Sequence, residues 1–363
     1  MSLTTLQITD FRNISTATFN PLSGLNLICG KNGSGKTSLL ESIHYLGLGR
    51  SFRTAQSSCL IRHQADKFSL FAQIENSDGY YIPVGVERHM QGALRLRMAE
   101  NDMPTIAEIA SLLPLRMINS QSHQLFELGP SFRRKYLDWG LFYQTHHFLL
   151  LWRQFDRVLK QRNTLLRDKH AKNEIDVWTN ELVKIGTELD ALRRDYIKEL
   201  IPFVEKAAHE LLGLSSLNLE YQPGWDESDT YENILNKHFA EEWRAGYTLY
   251  GPHRADLLVT IETLPVKHFL SRGQLKLLIC AMIVAQGMLL KMKANNRLIY
   301  LIDDLPSELD SEGCRKLITL LSQQPTQMFI TAIEQDVIQK IAGMINISLK
   351  MFHVEHGFIE PCE

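Results

Sequence analysis

The sequence predicts an α/β protein: a sheet-bearing head with an antiparallel β meander, interrupted by a large inserted helical lobe. Three observations predict it. Short apolar or alternating runs crowd both ends of the chain, amphipathic helical periodicity dominates its middle, and a glycine-rich turn follows one apolar run and opens a helix. The 363 residues suffice for two or three lobes and a sizeable core.

The elements follow in order. "LTTLQITDFRNI" and "TATFNPLSGLNLICG" alternate like strands joined by a turn, with Pro21 and Gly24 marking a bend. "LNLIC" is an apolar run of strand length that Gly30 ends. From Lys36 the period changes, and Leu39, Leu40, Ile43 and Leu46 share one helical face. "KFSLFAQIEN", "GYYIPVGVER" and "GALRLRMAEN" supply the meander. From about Asp102 the signal is helical. Leu182, Ile185, Leu189, Leu192, Tyr196 and Leu200 recur at spacings of three and four, in a run that Pro202 is expected to end or kink. "SSLNLEYQPGW" returns to a strand. "ANNRLIYLIDDLPSELDSEGC" and "TQMFITAIEQD" each read as strand, turn, then helix, and "INISLKMFHVEHGFIE" as a closing pair of strands. Tyr80, Tyr81 and Tyr143 are expected in the core or at an interface. The expected domains are residues 1–105, 106–290 and 291–363: the first part of the head, the helical lobe, and the second part of the head.

Composition bounds the function without naming it. Apolar residues make up 44% and charged residues 22%, as in an ordinary soluble protein. A net charge of -2 leaves a nucleic-acid partner open, because local basic patches matter more than the sum. The five cysteines are scattered with no CxxC pair, which argues against a zinc site or a disulfide framework. His353 and His356 lack an acidic or cysteine companion at metal spacing. No basic-then-apolar leader opens the chain and no uninterrupted apolar stretch reaches membrane-spanning length. A cytoplasmic protein without a membrane partner is expected.

"GKNGSGKT", Gly30 to Thr37, matches G-x-x-x-x-G-K-[ST] between a strand and a helix, the context that pattern requires. Chance gives the four fixed positions in roughly one chain of this length in a hundred, before the flanks are counted. Glycines allow a tight loop with inward amides, and the helix start adds unpaired donors. Gly30, Lys31, Asn32, Gly33, Ser34, Gly35, Lys36, Thr37 and Ser38 are therefore the expected ATP-binding residues. Lys36 neutralises the β- and γ-phosphates, and the Thr37 hydroxyl binds Mg2+. A second acidic centre, Asp303 and Asp304, ends the apolar strand "LIYLIDD". Asp303 is the expected second magnesium ligand, and Asp304, one step further out, orients the attacking water.

"LSRGQLKLL" places Ser271, Arg272, Gly273 and Gln274 at a helix start. Two readings stand: a local cap, or a helix start that faces a phosphate. The motif resembles the signature sequence of ABC-type ATPases, and "SELD" resembles the loop after their acidic strand end. The order phosphate loop, signature, acidic strand end is that superfamily's order. By that resemblance Ser271, Arg272, Gly273 and Gln274 join the nucleotide-binding residues, closing over ATP held by a second copy. Arg272 departs from the commoner glycine, Thr331 stands where transporter ATPases place a switch histidine, and Gln121 is the nearest candidate for their glutamine loop.

Across essentially the whole chain, "FRNI", "GKNGSGKT", "GRSFRT", "GPSFRRKYLDWG", "LKQRNTLL", "YGPHRADL", "LSRGQLKLL" and "LIDDLPSELD" resemble segments of the RecF family in family order. That family lies in the SMC-like branch of the ABC-type ATPases. The resemblance implies an ABC-type/SMC-like P-loop ATPase head. It also implies a weak, DNA-stimulated ATPase that dimerises on ATP, binds single-stranded, double-stranded and gapped DNA, and serves DNA replication, repair and the SOS response to DNA damage. Partnership with RecO and RecR in assisting RecA loading is implied likewise. The ATPase subunit of an ABC transporter is the alternative, and the long insert with Thr331 speaks against it.

Two family segments carry charge that physics can weigh. Trp152 to Lys172 holds seven basic residues and two acidic ones, with Arg153, Arg157 and Lys160 on one helical face and Trp152, Phe155 and Leu159 on an adjacent one. Such a stripe suits a DNA backbone, or is a solvated face with local ion pairs; Arg193 and Arg194 carry the same two readings. "GPSFRRKYLDW" places Arg133, Arg134 and Lys135 near a helix start with Asp138 on the next turn. In "YGPHRADL", Arg254 is placed to reach a phosphate of ATP or DNA, or to sit in a turn paired with Asp256.

Overall fold

The computed structural model describes residues 2–76, 78–294 and 298–362. The chain forms two compact units, residues 1–122 with 276–363, and residues 123–275. The crossings at 122/123 and 275/276 stand where the sequence suggested 105/106 and 290/291. The chain stays in the first unit past residue 105 because Leu115–Ile118 pairs in parallel with Leu298–Ile302. That short strand was not expected, since it lies in a stretch that reads as helical.

Among the described residues the first unit holds two six-stranded sheets. One is antiparallel, in the spatial order Ile14–Phe19, Ser2–Phe11, Lys67–Glu75, Tyr81–His89, Leu94–Met98, Asn101–Asp102. It contains the expected meander, and its strands alternate buried and exposed residues, the mark of a sheet covered on one face. Tyr80 and Tyr81 are exposed, so the core is not their place. The other sheet runs Phe358–Pro361, Leu349–Glu355, Leu25–Cys29, Thr326–Ala332, Leu298–Ile302, Leu115–Ile118. All its pairings are parallel except the closing hairpin Leu349–Glu355 with Phe358–Pro361. Leu25–Cys29, Leu298–Ile302 and Thr326–Ala332 are buried at every position, as strands covered on both faces must be. The helix Lys36–Leu48 contributes Leu39, Leu40, Ile43 and Leu46 to a core that both sheets share. That burial fixes the helix start at the end of Leu25–Cys29.

The second unit is mostly helical. Phe148–Arg167 packs against Lys172–Leu212, a 41-residue helix. Pro202 lies inside that helix and does not end it; the stop is Gly213, left-handed at φ 71°, whose N–H bonds to His209 O. Leu217–Gln222, the strand read from "SSLNLEYQPGW", pairs with Asp256–Ile261, which pairs with Leu264–Pro265. The helix Arg272–Ala294 starts in this unit and continues in the first. Its stretch Arg272–Lys293 is long and apolar enough to cross a membrane, but most of it is buried within the protein, as befits a core helix.

Candidate functional site

The loop between Leu25–Cys29 and Lys36–Leu48 is shaped by its glycines. Gly30 sits at φ 153°, where a Cβ would lie 2.3 Å from the Val354 carbonyl oxygen. Gly35, at φ 125°, would bring a Cβ to 3.0 Å from Asn13 Nδ2. The terminal hairpin and the turn after Ser2–Phe11 thus press on the loop from outside. They also hold it, because Ser34 O accepts from Asn13 Nδ2 at 3.1 Å and from the Gly357 N–H at 2.8 Å.

Lys36 is buried and donates to the carbonyls of Gly30 at 2.7 Å and Lys31 at 3.0 Å. Burial lowers its pKa, against the pull of the Asp304 and Asp303 carboxylates. Thr37 Oγ1 donates toward Asp303, 3.1 and 3.2 Å from its two oxygens. Thr331 Oγ1 donates to Asp303 Oδ1 at 2.7 Å and accepts the Asp304 N–H at 2.7 Å. Burial raises the Asp303 pKa, and the two hydroxyls offset part of that rise. Asp304 has left-handed backbone angles, φ 53° and ψ 49°, at the start of the short helix Leu305–Glu308, and its side chain makes no cap hydrogen bond there. Lys36, Thr37, Asp303, Asp304 and Thr331 all line one cavity of about 650 Å³.

Arg12 and Arg53 line the same cavity, and no site role was read for them from the sequence. Arg12 Nε and Nη2 each donate to the fully buried Glu41 at 2.8 Å, and Nη1 donates to Cys59 O. Glu41 also accepts from Ser51, with Arg53 Nη1 at 3.9 Å. The available signal was Glu41 itself, an acid inside an apolar helix that demands a cation. Ser120 lines the cavity, whereas its neighbour Gln121 is exposed and outside the lining. A buried ammonium, a loop of amides and a hydroxyl beside carboxylates can receive a polyphosphate and a hard cation.

The family model described as RecF/RecN/SMC N terminal domain matches residues 2–358. The chain is 40% identical over 364 residues to the DNA replication and repair protein RecF of Shewanella denitrificans, covering 100% of both chains. It is likewise 40% identical over 361 residues to that of Cellvibrio japonicus, covering 98% of both.

The chain belongs to the RecF family.

Solved structures agree on the fold. A structure of the recombination mediator protein RecF with ATPrS superposes with a TM-score of 0.88 at 22% identity, covering 100% of this chain and 98% of that one. An SMC head bound to the C-winged helix domain of ScpA gives 0.62 at 13% identity, covering 100% and 97%. The fold is thus the α/β SMC-like head of the RecF family, with a helical lobe.

In this RecF-family chain Ser271, Arg272, Gly273 and Gln274, the residues read as a signature, are exposed. Ser271 Oγ accepts the Gln274 N–H at 3.3 Å, and Gln274 Oε1 accepts the Ser271 N–H at 3.0 Å. The local-cap reading is therefore realised within one chain as a reciprocal capping box.

The second unit redistributes the arginines. Asp256 pairs with Arg133, at 2.6 and 3.0 Å, rather than with Arg254. The reason is packing: the strand that Asp256 opens lies against the helix Pro130–Gln144. Arg193 is buried, bonded to both oxygens of Asp138 and to Pro252 O, so it forms no part of a solvent-facing stripe. Arg194 pairs with Asp190 and Glu227. Arg153, Arg157 and Lys160 are exposed, with Lys160 also 2.6 Å from Asp156, while Phe155 is buried beside them. Arg162, from the same basic run, is fully buried against Glu242 at 2.7 Å.

Proposed function

We propose that this chain is an ATP-dependent DNA-binding protein of recombinational repair, working as a nucleotide-gated dimer with slow ATP hydrolysis. One observation carries the reading: in a chain related to RecF along its whole length, Lys36, Thr37, Asp303 and Asp304 line a single cavity. ATP lies along the loop Gly30–Ser38, with Lys36 leaving its two carbonyls for the phosphates. Thr37 and Asp303, a hydroxyl and a carboxylate already facing each other, would hold Mg2+, and the ion would supply neutralisation of phosphate charge. Asp304 orients the attacking water. Ser271, Arg272, Gly273 and Gln274 close over the nucleotide of a second copy, with the Ser271 hydroxyl leaving its cap.

The ATP-bound dimer binds single-stranded, double-stranded and gapped DNA in the cytoplasm, and with RecO and RecR assists RecA loading, as the family resemblance suggests. Support comes from the full-length relationship and from the exposed Arg153, Arg157 and Lys160. Lys36→Met tests the reading. It removes the phosphate-facing charge without creating an unpaired one, so nucleotide affinity is expected to fall about a hundredfold or more, with ATP-dependent DNA binding lost. Unchanged ATP affinity would remove the phosphate loop from the mechanism.

A further inference from the structure

The turn Gly251–Asp256 is held more firmly than a connection needs. The Gly251 N–H donates to Gly224 O at 3.1 Å, and the Arg254 N–H donates to Gly251 O at 2.8 Å. Arg193 Nη1 donates to Pro252 O at 2.7 Å, and Arg134 Nη1 to Ala255 O at 2.8 Å. Arg133 grips Asp256 with two bonds, and His253 Nε2 meets Thr248 O at 3.0 Å. Gly224, at φ 93°, lies so close that a Cβ would stand 2.4 Å from Gly251 O and 2.8 Å from the Arg254 carbonyl carbon. Two helices and the end of a strand thus converge to fix six residues.

What the turn presents is one side chain. His253 faces inward and Asp256 is paired, but Arg254 is exposed. Among the described residues its guanidinium has no hydrogen-bond or ion-pair partner; it lies over the Tyr247 ring, 5.8 Å from the centroid. A guanidinium over a ring at this distance keeps its N–H edges free for a bidentate acceptor. Among the described residues Arg133 pairs with Asp256 and Arg193 with Asp138, while Arg134 and Arg254 form no ion pair. The Arg134 pKa is lowered, chiefly by burial and then by the neighbouring Arg193. An anion docked on Arg254 supplies a counter-charge where neither Arg254 nor Arg134 has an ion pair.

We infer that Arg254 is a phosphate anchor, presented by a turn that Arg133, Arg134 and Arg193 hold rigid. The inference rests on the function proposed above, which brings two sources of that chemistry: the phosphodiester backbone of DNA, and the nucleotide triphosphate held by a second copy. Rigidity matters here because a backbone that is already placed costs no loop ordering on binding, which leaves only the Arg254 side chain to be fixed.

Arg254→Ala and Arg254→Lys, made in the full chain, test it beside the parent. Both are expected to fold, since Arg254 has no ion pair to lose; circular dichroism and the thermal midpoint check this. DNA binding is measured by fluorescence anisotropy with ATP and Mg2+, on two duplexes of unrelated sequence, over a salt series. Nucleotide binding is measured with a fluorescent ATP analogue, and dimerisation by sedimentation velocity. For a DNA source, Arg254→Ala weakens both duplexes equally, by about tenfold, and lowers the salt slope by about one, with nucleotide binding and dimerisation unchanged. For a nucleotide source, ATP-dependent dimerisation and turnover fall while binding of the analogue to the monomer holds. In either case Arg254→Lys restores only part, because a point charge lacks the planar fork. A folded Arg254→Ala protein with parental DNA affinity, salt slope, dimerisation and turnover overturns the inference. A parent that binds no DNA overturns the functional reading instead, and the nucleotide arm then decides Arg254 alone.

Discussion

The two units treat charge in opposite ways. In the first, the key charges are bonded to neutral groups: Lys36 to two carbonyls, Asp303 to the hydroxyls of Thr37 and Thr331. In the second, the buried arginines Arg162 and Arg193 form ion pairs with Glu242 and Asp138, and the half-buried Arg133 pairs with Asp256. A charge held by neutral dipoles exchanges them for a ligand at modest cost, while a charge held by a buried opposite charge cannot leave without stranding its partner. Lys36 and Asp303 are therefore held in the manner the proposed ligand site requires, whereas Arg162 and Arg193 are held by carboxylates. Arg12 with Glu41 is the first unit's own structural pair, placed at the cavity wall.

Arg162→Met is the strongest way to break this contrast. Arg162 also donates to Thr179 at 2.9 Å and Thr248 at 2.7 Å, and its removal leaves Glu242 buried without its cation. A loss of about 3–5 kcal/mol is expected. Urea unfolding followed by tryptophan fluorescence reads it cleanly, because Trp139, Trp152, Trp178, Trp225 and Trp243 all lie in the second unit. Lys36→Met should leave that transition unmoved. A loss under about 1 kcal/mol for Arg162→Met would class its pair with weak surface bridges.

Within the first unit, Asp304→Asn separates binding from turnover. The asparagine keeps size and polarity but cannot accept a proton from water. ATP binding and dimerisation are expected to persist, the dimer to live longer, and single-turnover hydrolysis to fall about a hundredfold. An aspartate is one methylene shorter than the glutamate transporters use there, so the parent rate is itself expected to be slow. Hydrolysis at the parental rate in Asp304→Asn would make Asp304 a strand cap or dimer contact, with another residue orienting the water.

Local patterns were legible and distant pairings were not. The strand, glycine-rich turn and helix around residues 30–37 were legible because the pattern that marks them is unbroken in sequence. The strand Leu115–Ile118 was hidden because four residues carry no clear period, and its partner lies at Leu298–Ile302. Arg133 and Asp256 could not be matched, since nothing in either segment names the other. The buried arginines are different, because their signal was present. Arg162 continues the buried positions Leu151, Phe155 and Val158 toward Leu166, and Arg193 lies four residues after Leu189 on the seam of its helix. Helical period placed both inside; counting basic residues placed them outside.

Arg153, Arg157 and Lys160 sharpen the same distinction on a single helix, where they remain exposed. Changing all three to alanine is expected to weaken DNA binding about equally for unrelated sequences, with the salt slope reduced by about one for each phosphate left without its cation. Unfolding should shift little, since only the exposed Lys160–Asp156 pair is removed. A folded triple variant with full affinity and an unchanged slope would leave the stripe a solvated face.

The smallest expected effect concerns pH and separates the units by their histidines. His44 in the first and His253 in the second are both pushed down to about 4, chiefly by burial. His44 Nδ1 bonds to Arg50 O at 2.8 Å, while His253 bonds through Nε2 to Thr248 O and its Nδ1 has no hydrogen-bond partner. Since each carbonyl must accept, both rings are neutral donors, of opposite tautomer. Arg254, Arg134 and Arg162 further disfavour charge on His253. The unfolded chain binds a proton near pH 6.5 and the folded chain near 4, so between those values the unfolded state holds more protons. The contribution is present in full above about pH 6.5 and is lost as pH falls toward 4. The tryptophan-reported midpoint is therefore expected to drop between about pH 7 and about pH 5. His253→Gln, which keeps a donor for Thr248 but does not titrate, should shrink that drop, and His44→Gln, in the unit without tryptophan, should leave it as in the parent. An equal drop in His253→Gln and parent would mean that His253 charges in the folded protein without penalty, and that the turn beneath Arg254 is wetter than its burial implies.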